Sequence, residues 1–72
     1  MKDDGGLEVG PGDWISFSYG VPPVGVRARI SSLDGELVAT TLGAHKPRKV
    51  LLKSLRQHVG SWYRADGPGY QT

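Results

Sequence analysis

Cysteine is absent, and that excludes disulfide staples and every thiolate zinc site. No apolar run approaches the roughly 20 residues that cross a bilayer as a helix. Aromatic residues are few, with one Phe, two Trp and three Tyr. The start, Met1-Lys2-Asp3-Asp4-Gly5-Gly6, is polar and acidic, unlike a signal peptide. These absences lead to the expectation of a cytoplasmic protein with no membrane association. With 72 residues there is room for one small domain and little room for a deep catalytic cleft.

Acid is missing from one long stretch. Residues 37–65 hold Lys46, Arg48, Lys49, Lys53, Arg56 and Arg64 with no Asp or Glu, a net +6, and include His45 and His58. Residues 1–36 carry a net −3 and the remainder −1, so the overall +2 conceals a segregated charge.

Glycine is abundant, and the periodicity between turns is two rather than 3.6. Ile15, Phe17 and Tyr19 alternate with Trp14, Ser16 and Ser18 in a first strand. Gly20-Val21-Pro22-Pro23-Val24-Gly25 cannot be helical, because its prolines lack donors and its glycines weaken propensity. Val24, Val26, Ala28 and Ile30 then share one face of a second strand, opposite Arg27, Arg29 and Ser31. Asp34-Gly35 is a strong hairpin signal, with Leu37–Leu42 returning. Two registers compete here. A two-residue loop pairs Ile30 with Ala39 and Arg27 with Leu42. A three-residue loop, Leu33-Asp34-Gly35, pairs Ile30 with Val38, Ala28 with Thr40 and Val26 with Leu42. The second gathers apolar residues on one face and is the expected one, as a type I turn with left-handed Gly35.

Pro47 interrupts the next loop, Arg48–Leu52 reads as a strand, and residues 52–58 can form one or two helical turns. Leu52, Leu55 and Val59 share a face there, and Gly60 is the stop. Ser61–Ala65 is a last strand. The expected fold is all-β: a small five-stranded barrel over residues 11–65 with a short 3₁₀ or helical turn before the last strand. Residues 1–10 are expected to form a flexible acidic segment and 66–72 a flexible tail. The expected core is Ile15, Phe17, Val26, Ala28, Ile30, Val38, Leu42, Val50, Leu52, Leu55 and Val59, with one tryptophan covering an end.

This order resembles the SH3-like barrel superfamily, in which a short 3₁₀ turn joins the fourth and fifth strands. Gly12-Asp13-Trp14-Ile15-Ser16-Phe17, followed by Gly20, Gly25, Ala28 and Ile30, is similar to the KOW variant of ribosomal proteins and transcription elongation factors. The pattern spans residues 11–42, and the strand order extends it to 65. Pro22-Pro23 departs from the usual loop. The resemblance implies a binding module in a transcription or translation setting.

The residue inventory does not assemble a catalytic site, so no enzyme activity is expected. Ser16 and Ser18 have no histidine at a fixed spacing, and His45 and His58 lie in an acid-free stretch. No metal and no cofactor are expected either. The expected function is noncatalytic binding of nucleic acid, RNA or DNA. Its candidate residues are Lys46, Arg48, Lys49, Lys53, Arg56, Arg64, Arg27, Arg29 and His45, with Trp62 and Tyr63 as aromatic neighbours. Cations meet phosphates, and rings stack on bases. The plainer readings are a solvated basic face and tryptophans used for the core. The alternative partner is a protein subunit of a large machine such as RNA polymerase or the ribosome, docked through Tyr19, Trp62, Tyr63 and the Pro22-Pro23 loop.

Overall fold

The computed structural model describes residues 1–42 and 48–68. Five strands and one helix follow one another: β1 (Trp14–Tyr19), β2 (Val24–Leu33), β3 (Glu36–Leu42), β4 (Lys49–Leu51), α1 (Leu52–Val59) and β5 (Trp62–Ala65). They form one antiparallel sheet in the order β4-β3-β2-β1-β5. The sheet is not closed. β4 and β5 stand at opposite ends of it and do not pair among the described residues, so the expected barrel reduces to an all-antiparallel sheet with one helix.

Ile15, Phe17, Ala28, Ile30 and Ala39 are buried on one face, where Leu52 and Leu55 of α1 and Trp62 of β5 meet them. Cross-strand pairs share a face, so Ile15 opposite Ala28 and Phe17 opposite Val26 and Trp62 build this layer directly. Val26, Leu37, Val50 and Val59 pack against it half-buried. Val24, expected inward, is 58% exposed because β1 and β2 run past the end of the layer at Tyr19 and Val24. The side chain of Leu42 lies outside the described residues.

α1 spans eight residues, longer than a single 3₁₀ turn. Leu52, Leu55 and Val59, spaced three and four apart, form its inward stripe. Gly60, at φ 78°, ends it with an N–H donated to the Arg56 carbonyl, a position that favours glycine. The Arg56 cation in its last turn complements the negative end of the helix dipole.

The β2–β3 hairpin takes the two-residue loop, correcting the expected register. Leu33 pairs with Glu36, Ile30 with Ala39 and Arg27 with Leu42. Asp34 and Gly35 are both left-handed, at φ 52° and 81°. That is the type I′ pattern, whose twist matches the flanking strands. The apolar alternation argued otherwise because it assumed β3 has a single covered face. Val38 and Ala39 are consecutive and both buried, Ala39 in the core layer and Val38 apart from it with Leu51 opposite.

Residues 1–10 are docked, which corrects the expectation of a loosely attached segment. Asp3 and Val9 are 6% and 2% exposed, and Val9 belongs to the core. The segment folds back on itself through an antiparallel backbone β-bridge between Lys2 and Glu8 and a Val9 N–H to Met1 carbonyl bond of 2.8 Å. It lies along the outer edge of β5. The Asp4 N–H donates to the Trp62 carbonyl at 3.2 Å, the Trp62 N–H to Asp4 Oδ2 at 2.8 Å, and the Arg64 N–H to Asp3 Oδ2 at 2.7 Å. Two carboxylates thus satisfy backbone donors that the last strand would otherwise leave unpaired. Of the C-terminal tail, residues 66–68 are described.

Candidate nucleic-acid interface

The register sorts the candidate cations into two groups. One row of cross-strand partners crosses all five strands: Lys49, Thr40, Arg29, Trp14 and Ala65. Ile15, Ile30 and Ala39, the chain neighbours of three of these residues, face the core, so the row faces away from it. The adjoining row on this outer face includes Arg27, Ser16 and Tyr63. At roughly 4.8 Å between strands, Arg29 and Lys49 stand about 10 Å apart across Thr40. Trp14 is the immediate cross-strand neighbour of Arg29, and Tyr63 is diagonal to Trp14. Trp14 is half-buried and Tyr63 is 50% exposed.

Arg29, Lys49 and the adjacent exposed Arg48 form no ion pair among the described residues. Arg27, half-buried, donates Nη1–H to the Gly67 carbonyl, an uncharged partner, at 2.8 Å.

The other group is already paired with acids from the first half of the chain. Lys53 meets Glu36 at 3.3 Å and Arg64 meets Asp13 at 3.4 Å, while Arg56 pairs with Asp4. Such pairs at the surface contribute at most about 1 kcal/mol each. Their larger effect here is to neutralise three of the six cations of the basic stretch internally. Trp62 is 2% exposed, so it covers the core and is no stacking surface, contrary to its place among the candidates. Lys46 and His45 lie outside the described residues.

Two acids have structural tasks that composition did not reveal. Asp3 Oδ1 accepts the Gly5 and Leu7 N–H groups, each at 2.8 Å, beside the Arg64 bond to Oδ2. The Arg64 amide foremost, with the Leu7, Gly5 and Gly6 amides, holds the Asp3 carboxyl below its usual range against the opposing effect of burial. Asp13 Oδ2 accepts the Gly10 N–H at 2.8 Å and closes the Gly10–Asp13 turn. That turn is tied to β2 by Gly12 N–H to the Ile30 carbonyl at 2.8 Å and Ile30 N–H to the Asp13 carbonyl at 2.9 Å. The sequence signal for Asp3 was its Asp-x-Gly spacing, which suits a side chain that caps its own following turn.

Between this turn and the outer face lies an open groove of about 570 Å³, lined by Pro11, Gly12, Trp14, Arg29, Ser31 and Thr40, among others. No helix among the described residues is long and apolar enough to cross a membrane. Comparison with protein-family models, with curated proteins and with solved structures gives no match to the chain.

Proposed function

We propose that the chain is a noncatalytic module that binds nucleic acid, RNA or DNA, through the outer face of its sheet. The observation that carries this reading is the row Lys49–Thr40–Arg29–Trp14, which joins an aromatic ring to two cations that have no acidic partner among the described residues. Cations of that kind release counterions when they meet phosphate, and an adjacent ring offers a surface for bases. The order β5-β1-β2-β3-β4, with a helix before β5, supports an SH3-like reading of the fold, in an opened form. The KOW-like opening supports a transcription or translation setting.

The test is binding of labelled oligonucleotides across a salt series. With Arg27, Arg29 and Lys49 engaged, the log–log salt slope should lie at about −2 to −3. No binding at low salt would sink the reading. A second reading, docking onto a protein subunit of RNA polymerase or the ribosome, is favoured by the β1–β2 tip. Tyr19, Val21 and Val24 there are 49%, 101% and 58% exposed. That reading predicts one-to-one capture of a single protein, abolished by Val21→Asp and indifferent to Arg29→Ala.

A further inference from the structure

We infer that the groove beside Trp14 seats one unpaired nucleobase, so that the nucleic acid taken by this face is single-stranded. The inference rests on the nucleic-acid reading above and narrows it.

A flat basic sheet would meet the phosphates of a duplex as readily as those of a single strand. This face is not flat. Its groove of about 570 Å³ falls in the size range of small-ligand sites, and Trp14 forms one wall. The Pro11–Gly12 turn also lines it, held by the Gly10–Asp13 bond and by the paired bonds to Ile30, so this part of the groove is fixed by the fold itself. The Ser31 and Thr40 hydroxyls border it and engage no protein partner among the described residues, leaving them for the polar edge of a base.

Charge agrees with this occupant. Among the described residues no carboxylate lines the groove. The nearest acid in sequence, Asp13, turns its oxygens to the Gly10 amide and to Arg64. Arg29 lies in the wall and Lys49 beyond Thr40, where phosphates flanking a seated base would pass. A base within a duplex is stacked on both sides and paired along its edge, so it cannot enter a cleft in a sheet. An unpaired base can.

The experiment uses the full chain and probes of about ten units: single-stranded RNA, single-stranded DNA, duplex RNA and a base-free polyphosphate. Tryptophan emission and anisotropy are read together. Single strands should quench emission, and Trp14→Phe should remove most of the quenching, because the remaining Trp62 is buried. Ser31→Tyr fills the groove from an exposed position, which keeps the risk to folding low. It should weaken single-strand binding by about 5- to 100-fold and leave polyphosphate binding and the unfolding midpoint unchanged. Tighter binding of RNA would place the 2′-hydroxyl in the contact, and equal binding would place the base and phosphate alone there; both support the seat. Equal affinity for single strand and polyphosphate, or a Ser31→Tyr variant that binds as the parent does, overturns the seat and leaves the broader reading standing. Absence of binding to every probe at low salt overturns both.

Discussion

Leu51 and Leu52 are adjacent in the chain, yet one is 40% exposed and the other 1%; Leu55, one turn further, is also 1% exposed. This contrast makes a controlled test of what holds α1 to the sheet. Leu52 and Leu55 are the two buried residues of the helix and share a cluster with Ile15, Ile30 and Trp62. Leu55→Ala removes a packed side chain and leaves a cavity in that cluster, at a cost of about 2–5 kcal/mol. A domain of this length is stable by only about 4–11 kcal/mol. Each kcal/mol moves the midpoint by about 4–8 °C at this size. The variant should therefore melt about 8–40 °C lower, and its tryptophan emission should shift to the red as Trp62 loses packing. Leu51→Ala, at the outer edge, should cost less than about 1 kcal/mol. Thermal unfolding followed by far-ultraviolet circular dichroism and tryptophan emission separates the two. Equal losses in both variants, or a Leu55→Ala loss under about 5 °C, would refute the assignment of the helix to the core layer.

Gly35→Ala puts a Cβ on a left-handed residue and should lower stability by about 1–2 kcal/mol, while Asp34→Asn should be neutral or stabilising, as thermal melts would register. Because folding lowers the Asp3 pKa, its contribution is full above the ordinary value of 3.8 and fades as pH falls through the lower folded value. Asp3→Asn should thus melt lower at neutral pH and show a flatter acid limb when midpoints are compared between about pH 2 and 7. In salt titrations with single strands, Arg29→Ala should reduce the slope by about 0.7, whereas Lys53→Ala, already engaged with Glu36, should leave it unchanged.

The strands and the helix were readable because their signals are local. Alternation at Ile15, Phe17, Ala28 and Ile30 gave β1 and β2 their inward face, and the Leu52–Leu55–Val59 spacing gave the helix its stripe. The hairpin register was not readable from alternation, since Val38 and Ala39 are both covered and favour neither pairing. Turn chemistry carried the right answer: Asp-Gly accepts two left-handed residues in a row. The N-terminal segment misled for another reason. A run of Asp and Gly looks solvated until its carboxylates find the backbone of Trp62 and Arg64, about 60 residues away. The candidate site divided in the same way. Sequence grouped the cations by proximity along the chain, and the sheet regrouped them by face, joining Arg29 to Lys49 and giving Lys53, Arg56 and Arg64 to acids.

The Asp3–Asp4 arm has a further consequence for self-association. An open sheet with two free margins can recruit copies at both, and a head-to-tail repeat of that contact grows without end into a fibre. Here one margin is occupied by the chain's own backbone and carboxylates, and β4 is the margin left unpaired among the described residues. Two copies meeting at β4 would use up the unpaired margin of each and stop there. The arm thereby closes the β5 margin to edge pairing between copies.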